Sequence, residues 1–421
     1  MPRDIKAVSR LAVVSYHSSP LHEPGSGDAG GMTVYVRQVA RSLAARGVHT
    51  DIFTRAAGPA DRVTSLESGV RVIPVEAGPR EEVPKENLPY FIEEFSDGVR
   101  AFAAMQRIPY DIVHSHYWQS GLAAVRLAST WGVPLVHSHH TLGRVKNAAL
   151  PPGDTPEPSS RLAGEAEVIA AASVLVASTE AEYQQLACLY GALHDKVKVI
   201  PPGVDHGVFH PGDAGNVRAE LGIGDRSVLL FVGRIQPLKG IELAIRATEQ
   251  LRHALDRSPV LLVVGGSSGQ TGDRELGRLE ALVGSLQLED HVRFLGPQPH
   301  DRLPDFYNAS DVVVVSSHSE SFGLAALEAH ACGRPVVGTP VGGLSHIVSN
   351  GVSGFLADDR DPSVFAAKLK TILSDPGLAR SFSLEAERVS AGFSWDGAAT
   401  TFLELYECLV NERLPNELCT C

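Results

Sequence analysis

Two glutamates eight residues apart stand in the run Glu320-Ser321-Phe322-Gly323-Leu324-Ala325-Ala326-Leu327-Glu328, the first on a loop and the second inside the helix that follows. Upstream lies Gly233-Arg234-Ile235-Gln236-Pro237-Leu238-Lys239-Gly240, where two cations follow the apolar run Val228–Val232. Arginine presents a planar fork to phosphate oxygens and lysine a mobile point charge, so the pair suits a pyrophosphate. Carboxylates accept from the hydroxyls of sugars and riboses. At 3.6 residues per turn, Glu328 projects from roughly the same side of the helix as its start, where Glu320 stands. A glutamate among Ala, Leu and His in an apolar helix is costly unless its carboxylate is satisfied, and a ribose diol would satisfy it. Each pair alone reads equally well as solvated surface charge; the ordered set points to a nucleotide-sugar site.

The elements that must carry these residues are readable from periodicity. Strand-like runs are Leu11–Ser15, Asp51–Thr54, Val70–Val75, Asp111–His114, Pro134–His137, Val174–Ala177 and Val197–Ile200. A second series follows at Val228–Val232, Val260–Val264, Val292–Leu295, Val312–Val315, Pro335–Gly338 and Gly354–Leu356. Amphipathic helices alternate with them: Val36, Val39, Ala40 and Leu43 recur at helical spacing, and Gly47 is a candidate C-cap. Strands alternating with helices imply an α/β protein with parallel sheets covered on both faces. The proline- and glycine-rich stretch from Pro201 to Asp213 separates the series. The expected division is an N-terminal domain over 1–200, a C-terminal domain over 201–392, a last helix over 393–413 that packs back across the linker, and a flexible tail over 414–421. Pro151–Pro158 reads as a stiff loop suited to a lid or a positioning segment.

Bulk properties narrow the class. At 421 residues the chain exceeds one ordinary core. Its net charge of −12 argues against nucleic acid or an anionic membrane as partner, so an anionic substrate must be held by local cations. No apolar run is long enough to span a bilayer, and Met1 to Arg10 lacks a signal-peptide pattern. Cys188, Cys332, Cys408, Cys419 and Cys421 are scattered without metal-finger spacing, which suits a reducing, cytoplasmic compartment. A homodimer is an ordinary expectation.

Gly25 to Gly30 matches the glycine pattern of a dinucleotide loop, with Asp51 further on. The match fails in context: Pro20 and Pro24 separate it from the strand, and Asp51 begins its strand instead of ending it. Gly30-Gly31 reads better as bare backbone whose amides approach an anion at a helix N-terminus, or as a glycine-rich turn without a ligand.

Gly233-Arg234 with Lys239-Gly240, then Glu320-x7-Glu328, Gly333-Arg334-Pro335-Val336-Val337 and Gly342-Gly343-Leu344 closely resemble the retaining glycosyltransferases of family 4. The resemblance covers essentially the whole chain. It implies the GT-B fold: two Rossmann-like domains with the site in the cleft between them. It further implies that Arg234 and Lys239 hold the diphosphate of a UDP-sugar donor, that Glu328 holds the ribose, and that Glu320 and the amides after it hold the transferred sugar. Gly31 and Gln298 join the donor set, Gln298 standing where the family has an arginine near the uracil.

The first half narrows the resemblance to the D-inositol-3-phosphate glycosyltransferases of mycothiol biosynthesis, which use UDP-N-acetylglucosamine. The motifs are Gly27-Asp28-Ala29-Gly30-Gly31-Met32-Thr33, Pro84-Lys85-Glu86, His114-Ser115-His116-Tyr117-Trp118, His140-Thr141-Leu142 with Val145-Lys146-Asn147, and Asp154-Thr155-Pro156-Glu157 leading to Arg161 and Glu165. The resemblance implies acceptor binding by His17, Asp28, Thr33, Lys85, Tyr117, Thr141 and Arg161, with Lys85, Tyr117, Thr141 and Arg161 on a phosphate. Convergent cations, a phenol and a hydroxyl are what a phosphate dianion needs. Read singly, Lys85 could be a loop solubiliser, Tyr117 a core aromatic and Arg161 one end of a helix salt bridge. Thr33 stands where the family carries asparagine, and bacterial sucrose-phosphate synthases, which bind fructose 6-phosphate in this half, are the rival resemblance.

His114, His116, His137 and His139 alternate at strand ends, a pattern of structural polar caps more than of zinc ligation. The resemblance gives His140 another role, its backbone carbonyl facing the reacting centre. It also implies a structural Mg2+ on backbone carbonyls of Tyr307, Asn308, Ser310 and Arg334, with no cofactor required for the chemistry.

Overall fold

The computed structural model describes residues 6–25, 27, 29–58, 61–151, 154–213, 215–268 and 272–411. Two sheets organise it. The first contains Arg10–Val14 (β1), His49–Arg55 (β2), Thr64–Glu67 (β3), Val70–Val75 (β4), Ile112–His116 (β5), Leu135–Ser138 (β6), Val174–Ala177 (β7) and Val197–Val199 (β8), in the spatial order β3-β4-β2-β1-β5-β6-β7-β8. The second contains Val228–Val232 (β9), Val260–Val264 (β10), Val292–Gly296 (β11), Val312–Val315 (β12), Val336–Gly338 (β13) and Gly354–Leu356 (β14), in the order β11-β10-β9-β12-β13-β14. Unbroken apolar runs such as those of β10 and β12 are buried along their whole length, as strands sandwiched between helical layers must be.

Pairing is parallel except between β3 and β4. That antiparallel edge strand escaped the periodicity because Leu66 is the one apolar residue of Thr64-Ser65-Leu66-Glu67 and the strand is not fully buried. The helix Gly31–Ala44 ends three residues before Gly47, which takes the left-handed conformation (φ 87°) in the turn beyond, with Ala45 as the cap residue.

Strand order reverses between β1 and β5 in the first sheet and between β9 and β12 in the second. At such a point successive connections leave on opposite faces and open a crevice beyond the strand ends, where open α/β sheets bind ligands. The loops after β1, β5, β9 and β12 carry His17, Tyr117, Arg234 with Lys239, and Glu320.

The helix Trp395–Val410 returns to the first half. Ser394 caps it by accepting from Gly397 N, and Trp395, Phe402 and Tyr406 are buried beside Leu11, Val36 and Ile112. The chain thus crosses between the halves twice, and Val204 bridges Ser394 where the crossings touch. A side chain at Gly203 would collide with the Ser394–Trp395 backbone. No helix among the described residues is long and apolar enough to cross a membrane.

Candidate active site between the two sheets

After β9 the chain turns through Gly233 (φ 156°) and a short 3-10 turn over Pro237–Lys239. Gly240 ends the turn in the left-handed conformation, with no room for a Cβ against the Ser316 carbonyl. Lys239 is thereby directed at Glu320, its Nζ lying 2.6 Å from Oε2, and Ser317 Oγ lies 3.2 Å from the same oxygen. Arg234 Nη1 donates to Ser268 Oγ at 3.3 Å. The Glu320 loop is braced from behind, since side chains at Gly342 or Gly343 would overlap the Glu320 and Phe322 carbonyl oxygens.

The helix Leu324–Ala331 begins four residues after Glu320 and carries Glu328 on its buried side. Glu328 has protein partners on both oxygens: His300 Nε2 lies 3.1 Å from Oε1, and the Tyr307 hydroxyl donates to Oε2 at 2.8 Å. Burial opposes protonation of His300, but the hydrogen bond and charge of Glu328 outweigh it, so the imidazole pKa is raised.

In the first half Tyr117, with φ of 75°, turns the chain from β5 into the helix Trp118–Trp131. Its ring lies under two cations, Lys85 Nζ at 4.3 Å and Arg161 Cζ at 5.0 Å from the centroid, and the His17 ring packs at 4.5 Å. Three of the residues assigned to the phosphate therefore converge. Thr141 joins them by accepting from Arg161 Nη2 at Oγ1 (3.0 Å) and at its carbonyl (3.1 Å). Arg161 is also one end of a helix ion pair, Nε lying 2.8 Å from Glu165, and its Nη1 lies 2.9 Å from Glu157 on the loop before the helix. Burial works against its charge, but Tyr117, Glu165 and Glu157 more than offset it and raise its pKa. Thr33 is buried, its hydroxyl 3.1 Å from Ser18 Oγ. Asp28 lies outside the described residues.

The two groups meet across the seam. Gly25 O accepts from Gly266 N, and a Cβ on Gly30 would stand 3.3 Å from Arg234 Nε, one on Gly31 3.2 Å from Leu324 Cδ1. These glycines let the helix Gly31–Ala44 approach the loops after β9 and β12 closely. His140, with φ of 61°, holds its ring on His116 (Nε2 to Nδ1, 2.9 Å), while Ser321 Oγ donates to its carbonyl. A cavity of about 280 Å³ at this seam is lined by Gly31, His140, Thr141, Arg234, Lys239, Gln298, Glu320 and Glu328 among others. Gln298 reaches it with its amide tied to the Leu295 carbonyl (3.0 Å). Lys85, Tyr117 and Arg161 stand behind Thr141 and do not line the cavity, while His17 lines an adjoining groove of about 880 Å³.

Burial pushes the His140 imidazole down to about 3, so it is neutral at ordinary pH. His17 is shifted down by burial and then by Lys85, Arg234, His140 and Arg161, which sets it between the two cation groups. The strand histidines form an interior chain: His114 bonds Tyr406 (2.7 Å) and Ser138 (3.0 Å), and His137 bonds Ser115 (2.7 Å) and approaches His139 (3.3 Å). Among the described residues no group of three His, Cys, Asp or Glu side chains is arranged to hold a metal.

Residues 30–203 match the family described as glycosyl transferase 4-like domain, and residues 213–389 match glycosyl transferases group 1. The chain is 47% identical to a D-inositol 3-phosphate glycosyltransferase of Acidothermus cellulolyticus over 96% of its length and 91% of that protein. It is 48% identical to the namesake of Actinosynnema mirum, covering 95% and 97%. The chain belongs to the D-inositol 3-phosphate glycosyltransferase family. Among solved structures, sucrose-phosphate synthase from Thermosynechococcus elongatus superposes with a TM-score of 0.89 at 33% identity, covering 96% of this chain and all of that one. Anabaena HepE, solved with UDP and glucose, gives 0.77 at 21% identity, covering 95% and 100%, a likeness of fold. The chain is therefore an enzyme, a glycosyltransferase of GT-B architecture.

For this glycosyltransferase the sequence missed the partners that hold the site residues: Ser321 on His140, Glu157 on Arg161, and His300 with Tyr307 on Glu328. Of the ion pairs at Arg161, the one with Glu165 carried a signal, four residues apart on one helix, while Glu157 reaches Arg161 from the loop before it. The segment assigned to Mg2+ fits a cation poorly. The Tyr307 carbonyl accepts from Ser310 N and Oγ, and the Arg334 guanidinium donates to the Ser310 carbonyl (3.2 Å), bringing its own positive charge to that oxygen.

Proposed function

We propose that this glycosyltransferase moves N-acetylglucosamine from UDP-N-acetylglucosamine to 1D-myo-inositol 3-phosphate with retention of configuration, a step of mycothiol biosynthesis in the cytoplasm. The observation that carries the reading is the pair of cation groups on either side of one seam. Arg234 and Lys239 suit the donor diphosphate; Lys85, Arg161, Tyr117 and Thr141 suit an acceptor phosphate. The full-length likeness to D-inositol 3-phosphate glycosyltransferases supports the acceptor.

Attack occurs from the face the leaving group departs. As the bond from the sugar C1 to the diphosphate oxygen breaks, the acceptor oxygen bonds to C1 and its proton passes to a departing phosphate oxygen. No protein base is needed, so the chain contributes position and charge: Arg234 and Lys239 stabilise the leaving UDP, Glu320 orients the sugar, and the His140 carbonyl borders the reacting centre. The Lys239–Glu320 pair keeps both groups oriented before the donor arrives.

Thr33 in place of asparagine and the close superposition on sucrose-phosphate synthase support a second reading, the same transfer with fructose 6-phosphate or another sugar phosphate as acceptor. Crossing UDP-N-acetylglucosamine and UDP-glucose with inositol 3-phosphate, inositol and fructose 6-phosphate, with product mass and a stereospecific glycosidase digest, separates the two. A product from inositol 3-phosphate alone supports the first reading; one from fructose 6-phosphate alone replaces it.

A further inference from the structure

The carboxylate assigned to the ribose is not a free side chain waiting for ligand. Glu328 accepts from Tyr307 at one oxygen and lies in hydrogen-bond distance of His300 at the other, and its helix position is buried. The linker residue Phe209 wedges between those two partners, its ring 5.2 Å from His300 and 6.0 Å from Tyr307. Tyr307 and Phe209 are almost wholly buried, so their positions are set by packing. Glu328 and His300 both line the seam cavity.

A carboxylate has about four acceptor sites, two per oxygen. With one on each oxygen taken by Tyr307 and His300, one on each is left. A vicinal diol presents two O–H donors that match two oxygens of one carboxylate. Locking the carboxylate plane beforehand removes the cost of ordering a three-torsion side chain when the nucleotide binds. The segment Tyr307–Ser310 has a structural reading through its carbonyls, but the phenol of Tyr307 points elsewhere and satisfies nothing except Glu328.

We propose that Tyr307 and His300 are positioning residues for the nucleotide ribose, clamping Glu328 in the orientation that accepts both hydroxyls of a cis-diol. The inference rests on the reading of the second half as the nucleotide site. It adds a selectivity to that reading: the clamp discriminates ribo- from deoxyribonucleotides.

The test is titration calorimetry of the full chain with UDP and with 2′-deoxy-UDP, for the parent, Tyr307→Phe and His300→Gln. Tyr307→Phe keeps the ring and its packing and removes one hydrogen bond. The parent is expected to prefer UDP, Tyr307→Phe to lose roughly tenfold in UDP affinity, and both variants to narrow the UDP to deoxy-UDP ratio. In turnover the donor KM rises while kcat changes little. Unchanged ratios in both variants overturn the clamp. A lowered melting temperature with the parent's ratio also overturns it, leaving a merely structural role. Failure of the parent to bind UDP overturns the nucleotide reading and the clamp with it, so the two failures are told apart.

Discussion

The Ser321 hydroxyl donates to the His140 carbonyl, joining a loop of the second sheet to one of the first across 181 residues of sequence. His140 holds a left-handed backbone conformation, and Ser321 follows Glu320 in the loop after β12. The bond therefore reports closure of the seam. Ser321→Ala should lower kcat/KM about fivefold, the weight of one hydrogen bond of about 1 kcal/mol. Steady-state kinetics with both substrates measures it.

Lys239→Ala should cost about 2–4 kcal/mol in kcat/KM, the scale of losing one preorganised charge donor at a developing anion. It also leaves Glu320 without its cation. The double variant with Glu320→Gln should then lose less than the two single losses added, because each single change already breaks the same pair. Additive losses in that double-mutant cycle would mean that the residues act independently.

Gly342→Ala tests the brace behind the sugar loop. The residue has φ of 52°, and a methyl there would overlap the Glu320 carbonyl oxygen. The loop must shift, and a displacement of about 1 Å at reacting groups costs on the order of a hundredfold in rate. Activity should fall by that order while UDP binding, which the proposed reading places on Glu328, Arg234 and Lys239, changes far less.

How much of this was legible beforehand depends on the range of the interaction. β9, β10 and β12 are continuous apolar runs because both faces are covered, so composition alone announces them. β3 has one apolar residue and nothing in its pattern separates it from a loop. The site divides the same way. Arg161 and Glu165 are one turn apart on the helix Ser159–Ala171, so their ion pair follows from spacing, whereas Glu157 pairs with Arg161 from the loop before the helix. Tyr307 on Glu328 and Ser321 on His140 depend on how distant loops are brought together, which local pattern does not encode. Resemblance marks Lys85 and Tyr117 as acceptor residues, and the stacking of the cation over the ring has no local signature.

Glu182 gives a pH prediction with a definite sign. The residue is buried at the start of the helix Glu180–Tyr190, accepts from Ser178 N at 2.7 Å, and burial pushes its pKa up to about 7, the bonds from Ser178 opposing less strongly. A pKa raised by folding means that the folded state favours the protonated form. Its contribution is complete below the unfolded value of about 4.3 and is lost as pH rises to about 7. Glu182→Gln keeps an acceptor for Ser178 N and cannot ionise. It should melt a few degrees higher than the parent at pH 8 and close to it at pH 4.5, as thermal unfolding at the two pH values will measure.

The acceptor cluster offers the sharpest separation of binding from folding. Lys85 is held over the Tyr117 ring by a loop whose backbone is pinned by Gln119, and among the described residues no carboxylate is ion-paired to it. Lys85→Ala should therefore raise KM for a phosphorylated acceptor by tenfold or more, on the order of one charge-assisted hydrogen bond, and leave stability and the unphosphorylated acceptor nearly unaffected. Arg161→Ala should do the same to KM but also destabilise the chain. It leaves the fully buried Glu165 without its counter-charge, held by Gly143 N and the Tyr190 hydroxyl alone, and breaking a buried ion pair from one side costs about 3–5 kcal/mol. Arg161→Lys should not restore either property, because a single ammonium cannot span Glu165, Glu157 and Thr141 at once. Denaturant unfolding alongside acceptor KM distinguishes the cases. Equal loss with phosphorylated and unphosphorylated acceptors in Lys85→Ala would remove the phosphate from this cluster, since a charge that captures a phosphate has nothing to hold on a neutral polyol.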